Sequence, residues 1–347
     1  MRYLLCTADD TVACFKADPP APAPGEIIAR MTACGVCGTD ALKVYNPGYA
    51  KPQKLGHECV GIVTHIGADA HGLRVGQRIA FAHHVPDPDS HYSRRGSETM
   101  DPQFKRTNIE PGGFSEFIRL SPLHARHTVV PIPDHVPDLR AIFMEPLGCC
   151  LRALDRAPVA ADDTVLIIGV GAIGILFLPL LRSLGARAIA CDVRAERLEL
   201  ARAWGATDAA LADQDVAALC RAHSAGRGAD LVIVTALNQA TFELALRSAR
   251  DGGTVLLFGG KPGTRLSWDF WPSFLREINL VTSYSATPAG LRRAMQFIAE
   301  HDPPLEALVS HVLPLEAAQE GFRLVHEGRA SKVVITTNPS LISVERP

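Results

Sequence analysis

Three short stretches of this chain carry residue types that do chemistry. Ala33-Cys34-Gly-Val-Cys37-Gly-Thr39-Asp40 offers thiols, Gly56-His57-Glu58 places an imidazole beside a carboxylate 20 residues past Cys37, and Phe143-Met-Glu145-Pro146-Leu147 adds a second carboxylate. Each has a plainer explanation when taken singly: a Cys-x-x-Cys can be a redox pair, and a lone histidine is often a satisfied core residue. Together, a thiolate, an imidazole and a carboxylate make a three-ligand zinc site with one position open, as a catalytic zinc requires. Such an ion polarises an alcohol oxygen and lowers its pKa. Glu145 is the candidate fourth group, facing the same site directly or through water.

A fourth stretch implies a second partner. TVLIIG runs into Gly169-Val-Gly171-Ala-Ile173-Gly174 and then into a helical pattern. Glycines there permit a tight turn, close approach of a pyrophosphate to backbone N–H groups, and tight packing of helix on strand. The next strand, AIACD, ends in Asp192, 18 residues after Gly174. An acidic side chain at that place accepts hydrogen bonds from the adenosine ribose and repels a 2′-phosphate, which predicts NAD rather than NADP. Arg194 is the nearby feature that favours the reverse. A polarised alcohol beside a nicotinamide is the setting for hydride transfer.

The elements that must hold these groups differ along the chain. Residues up to about 155 are rich in Pro, Gly and β-branched residues, with short runs such as EIIARMTA, CVGIVTHIG and RIAFAHH between turn residues, which predicts an irregular β unit. Over 156–287 strands alternate with helices, predicting right-handed βαβ units and a parallel sheet. Beyond, PAGLRRAMQFIAEH reads as an amphipathic helix and SKVVITT as a last strand returning to the first unit, which residues from about 288 to 347 would complete. Pro179 falls inside the helix after the glycine turn and is expected to bend it.

The set Cys37-Gly-Thr39-Asp40, Gly56-His57-Glu58, Glu145-Pro146-Leu147 and the glycine turn, in this order and spacing, resembles the zinc-dependent medium-chain dehydrogenases, in particular their sorbitol and threonine dehydrogenase branch. The likeness spans essentially the whole chain. It implies an α/β protein, with a GroES-like β domain and a Rossmann domain built on a doubly wound parallel sheet. It makes Cys37 and His57 zinc ligands, and Glu58 and Glu145 ligands or water-bridged partners. Thr39 would relay the substrate proton, Asp192 and Arg197 would hold the adenosine ribose, Ile173 would lie beside the cofactor, and Cys34 would be a packed neighbour. Two departures concern the substrate. Many relatives have a relay histidine where this chain has Leu42, and Lys43 stands at a position resembling a substrate-contacting tyrosine. Lys43 and Tyr284 are therefore candidate selectivity residues.

The same resemblance gives meaning to the polar stretch His83–Arg106, which reads as a long loop without strand or helix. Relatives carry there a structural zinc on four cysteines spaced C-x2-C-x2-C-x7-C. At those intervals this chain has Asp87, Ser90, Ser93 and Asp101, and no cysteine lies between Cys59 and Cys149. Two carboxylates and two hydroxyls suit a sulfur-preferring tetrahedral site poorly, so the structural zinc is expected to be absent. Ion pairs of Asp87 and Asp101 with Arg94, Arg95, Lys105 and Arg106, and serine caps on turn N–H groups, are expected in its place; a calcium ion on these oxygens is the alternative.

Bulk properties narrow the remaining choices. With 347 residues, 47% hydrophobic and 21% charged, and a net charge of −2, the chain has room for two domains and no electrostatic bias towards nucleic acid or membrane surfaces. No apolar run is long enough to span a bilayer, and the N-terminus lacks the pattern of a secretory signal. Nine cysteines, an odd number, suit a reducing, cytoplasmic setting, with Cys6, Cys14, Cys191 and Cys220 expected in the core. The expected partners are a small alcohol or ketone and further copies of the chain, as a homodimer or homotetramer. The leading function is oxidation of a secondary alcohol (a polyol, sugar, cyclitol or amino alcohol) with NAD. The alternatives are a zinc-free NADPH-dependent reductase, an NAD-retaining epimerase and a non-enzymatic nucleotide-binding protein.

Overall fold

The structure, a computed structural model, describes residues 1–68 and 72–342. They form two compact units, one of Met1–Gly148 with Ala286–Pro347 and one of Cys149–Ser285; residues 343–347 lie outside the described residues. No helix among the described residues is long and apolar enough to cross a membrane.

The first unit is built on a seven-stranded sheet whose path runs His311–Pro314, Val333–Thr336, Ile27–Val36, Glu58–Ile66, Arg78–Phe81, Val129–Pro131, with Phe117–Leu120 also pairing to Ile27–Val36. Ile27–Val36 is buried at every position but Arg30, so it reads as a continuous apolar run rather than an alternating one. All three strands paired with it are antiparallel to it; in two of them Val333 lies opposite Val36, and Glu58 opposite Gly35. That register brings one strand's exit and two strands' entries to a single end of the sheet. Cys37 follows the first, His57 and Glu58 open the second, and Lys332 precedes the third. The sheet packs on a core that includes Met31, Phe81, Phe114, Phe322 and Ile335.

A smaller sheet pairs Arg2–Ala8 with Thr11–Lys16 and Gln53–Lys54. Thr11–Lys16 lies at its edge, which leaves Cys14 exposed rather than in the core; Cys6, Cys191 and Cys220 are buried. The stretch His83–Arg106 also departs from expectation, because it contains short helices at His91–Arg94, Glu98–Met100 and Pro102–Arg106. Each is under two turns long, too short for a periodic apolar signal.

The second unit carries a six-stranded, wholly parallel sheet in the order Asp208–Leu211, Arg187–Asp192, Thr164–Ile168, Ala229–Val234, Ala249–Leu257, Asn279–Thr282. Numbered within the unit this is 3-2-1-4-5-6, the doubly wound order of dinucleotide-binding sheets. Thr164–Ile168 is buried throughout, as a central strand covered on both faces must be. The helix Gly174–Ser183 continues through Pro179.

Candidate metal and dinucleotide sites

The end of the first unit's sheet is where the ligand-type residues meet. Cys37 is the N-cap of the helix Gly38–Tyr45, so the turn from strand to helix fixes its thiol. Ligand atoms of Cys37, His57 and Glu58 lie within 4.8 Å of one another. Glu145, near the start of the helix Met144–Arg156, is buried and adds its charge to the surroundings of Lys332, but is not in that set. Thr39 is exposed, two residues past Cys37 on the same helix. Lys43 is half-buried there, while Tyr284 belongs to the second unit and is 51% exposed.

The surroundings of the three groups suit a cation. Gly35 is the residue opposite Glu58, and a Cβ on it would stand 1.9 Å from Glu58 Oε2; the carboxylate occupies space that only glycine leaves. Asp40, fully buried, stands 3.5 Å from His57 Nδ1 and accepts hydrogen bonds from the N–H groups of Cys37 and Gly56. Burial pushes the Asp40 carboxyl up, but His57, the charge of Lys43 and the Gly56 N–H outweigh it and hold it at about 2. Burial likewise opposes a charge on His57, and Asp40 and Cys37 together overcome it, raising the imidazole well above its usual range. A carboxylate behind a ligand histidine fixes the ring and raises its basicity, as metal centres commonly arrange. With a thiolate, an imidazole and a carboxylate converging, the donor set fits zinc.

One residue of this site was not among the expected ones. Lys332 is buried, and its Nζ donates to both oxygens of Glu58 at 2.7 Å. Burial opposes the ammonium, but Glu58 and Cys37 raise its pKa above the ordinary lysine value. His83 and His84 were missed as well. The His83 ring lies 4.8 Å from that of His57 and 3.6 Å from that of His84, and His83 Nδ1 is buried without a hydrogen-bond partner. Cys34 packs against Cys59, Sγ to Sγ 3.7 Å, as a neighbour rather than a member of the metal set.

In the second unit the glycine turn has the steric signature of a phosphate cradle. Gly169 adopts φ +93°, and a Cβ on Gly174 would stand 2.0 Å from the Gly169 carbonyl oxygen. The helix that begins at Gly174 has Ile173 as its N-cap and no side-chain cap, so its first N–H groups are free of side-chain acceptors, as an anion site requires. Asp192, buried, accepts hydrogen bonds from the N–H of Val170 at 2.9 Å and of Arg194 at 3.1 Å, and lies 3.5 Å from Arg197 Nη1. Arg197 is also the side chain nearest the Cβ direction of Gly171. Turn, acidic residue and arginine thus form one group.

The stretch His83–Arg106 is held by hydrogen bonds at Asp87, Ser90, Ser93 and Asp101. Asp101 Oδ1 accepts from the N–H groups of Gln103, Phe104 and Asp87 at 2.8, 3.2 and 3.3 Å. Ser90 caps the helix His91–Arg94 by accepting from Ser93 N, and its hydroxyl meets that of Ser93 at 3.2 Å. The serine caps are as expected. Asp101 is a helix N-cap rather than half of an ion pair, because at 3% exposure it sits over backbone donors. Phe104, 1% exposed, anchors the stretch.

Comparison with known proteins identifies the family. The model of the alcohol dehydrogenase GroES-like domain matches residues 23–134, and that of the zinc-binding dehydrogenases matches residues 172–300. The chain belongs to the zinc-binding, medium-chain alcohol dehydrogenases. An L-threonine 3-dehydrogenase of Xanthomonas axonopodis pv. citri is 28% identical over 332 residues, 92% of this chain and 94% of that one. The "Probable D-xylulose reductase A" of Emericella nidulans is 25% identical over 331 residues, 91% and 90% of the two chains. Among solved structures, a protein of Sinorhizobium meliloti 1021 bound to NADP superposes with a TM-score of 0.86 at 25% identity, covering 96% of this chain and 98% of that one. These relatives put this dehydrogenase in the sorbitol and threonine dehydrogenase branch.

Proposed function

We propose that this dehydrogenase oxidises a secondary alcohol of the polyol, sugar, cyclitol or amino-alcohol class with NAD, using one zinc ion per chain. The observation that carries the reading is the convergence of Cys37, His57 and Glu58 within 4.8 Å at one end of the sheet. Zinc held by Cys37 and His57, with the Glu58 carboxylate beside it and Glu145 as a further candidate, supplies Lewis acidity towards the carbinol oxygen. Asp40 keeps the His57 ring in place. Thr39, whose hydroxyl both donates and accepts, takes the substrate proton; being exposed, it passes the proton to water without a histidine at position 42. NAD bound by Gly169, Gly171, Ile173, Gly174, Asp192 and Arg197 supplies the hydride acceptor. Asp192 supports NAD over NADP, as does the pairing of Arg194 with Glu196 at 2.6 Å, which occupies the nearest alternative guanidinium.

The Asp87, Ser90, Ser93 and Asp101 network supports a protein without structural zinc. The enzyme is further inferred to be a homo-oligomer of the cytoplasm. All nine cysteines are free, and Phe270, Trp271, Phe274, Leu275 and Leu280 are 41–63% exposed beside the edge strand Asn279–Thr282. An unpaired edge flanked by apolar side chains fits antiparallel pairing with the same edge of a second copy.

The test is metal analysis together with NADH formation from polyols, amino sugars, cyclitols and threonine, before and after chelation. Alcohol-dependent NADH that disappears on chelation and returns with zinc, at about one zinc per chain, is expected. Activity that survives complete metal removal would overturn the mechanism; two zinc ions per chain would overturn the reading of the 83–106 stretch.

A further inference from the structure

Lys43 lies on the helix Gly38–Tyr45, four residues past Thr39. Residues at that spacing share a helix face about 6 Å apart along the axis, and side chains tilt towards the N-terminus. The lysine stem is thereby directed back over the turn that holds Thr39 and Cys37. Its charge reaches Asp40, where it favours the carboxylate, and His83 and His84, where after burial it adds to the forces that disfavour the imidazolium. Lys43 is half-buried, yet its ammonium has no carboxylate or other acceptor among the described residues. Asp40, the nearby anion, has its oxygens turned to His57, Cys37 N–H and Gly56 N–H. A second polar atom without a partner, the buried Nδ1 of His83, lies in the ring that packs on His57. Cationic and unsatisfied groups thus border the place where the alcohol must bind.

We propose that the substrate of this enzyme carries an anionic group, a carboxylate or a phosphate monoester, near the reacting carbinol, and that Lys43 receives it. The inference rests on the alcohol dehydrogenase reading above and narrows its substrate class from polyols, sugars, cyclitols and amino alcohols to those that carry a carboxylate or a phosphate. A charge-assisted hydrogen bond to a fixed ammonium gives about a 10- to 150-fold preference.

The experiment compares sorbitol, gluconate and sorbitol 6-phosphate on the zinc-loaded enzyme, by kcat/KM for NADH formation and by equilibrium binding without nicotinamide. At least one anion is expected to exceed sorbitol by 10-fold or more in both measurements, and which one does separates carboxylate from phosphate. Lys43→Met should shrink that ratio by a similar factor, chiefly through KM, and Lys43→Arg should largely restore it. Sorbitol turned over as well as or better than both anions would overturn this inference and leave the dehydrogenase reading standing, as would a preference that survives Lys43→Met. No NADH from any alcohol would sink the dehydrogenase reading and this inference with it.

Discussion

Replacing Lys332 by methionine tests whether Glu58 is a partner of the metal or only of the lysine. Glu58 has 0% and Lys332 4% side-chain exposure, and both carboxylate oxygens are 2.7 Å from Nζ. Removing one member of such a pair leaves a buried charge without compensation, which costs about 3–5 kcal/mol. In the zinc-free protein that should lower Tm by roughly 6–20 °C, taking about 2–4 °C per kcal/mol for a unit of this size. The zinc-loaded protein should lose less, because a cation beside Cys37 and His57 also neutralises Glu58. If zinc recovers about half of the penalty, the variant binds zinc about 10- to 60-fold more tightly than the parent, by linkage between the two losses. Thermal unfolding with and without metal, and competition with a chromophoric chelator, measure the two halves independently. Equal destabilisation in both forms, with zinc affinity unchanged, would show that Glu58 does not serve the metal at all.

Three further outcomes follow from the same geometry. Gly35→Ala places a Cβ where Glu58 Oε2 now lies, at 1.9 Å; the carboxylate must move, and zinc content after dialysis should fall well below one per chain while circular dichroism stays close to that of the parent. His84 is held at about 4, first by burial and then by neighbouring positive charge. The folded protein therefore takes up this proton later than the unfolded chain, whose histidines titrate near 6.5. Its contribution is intact above about pH 6.5 and erodes as pH falls towards 4, by about 3 kcal/mol at most; His84→Gln should flatten that part of the stability curve in urea titrations. Asp192→Ala should lower kcat/KM for NAD by roughly 10- to 100-fold, the worth of a charge-assisted hydrogen bond or two, and reduce discrimination against NADP. A variant that kept full preference for NAD would exclude Asp192 as the ribose acceptor.

The candidate ligands were legible because the chemistry is written locally. Cys37 ends one strand and opens a helix, His57 and Glu58 are adjacent, and the glycine turn with Asp192 spans one βαβ unit, so motif and element coincide. What the sequence hid depends on register. Lys332 is 274 residues from Glu58, and a lysine before an apolar strand looks like an ordinary solvated end. Only the pairing of Val333 with Val36, and of Gly35 with Glu58, brings it to the carboxylate. A usable signal did exist: SKVVITT is apolar enough to be central, so the residue that enters it is a candidate for burial. Asp40 was in view inside the quoted motif, but its role behind His57 needs the loop Gly56–His57 to fold onto the helix start. The 83–106 stretch failed differently. Its helices are set by single caps, Ser90 and Asp101, and not by apolar periodicity, so spacing could say which residues had replaced the cysteines but not that they hold backbone N–H groups. Those caps make the stretch a structure in its own right, with Phe104 as its buried anchor, His84 packed between Phe104 and His83, and His83 against His57. A stretch that holds its shape through its own caps keeps His83 in place beside His57, a candidate metal ligand.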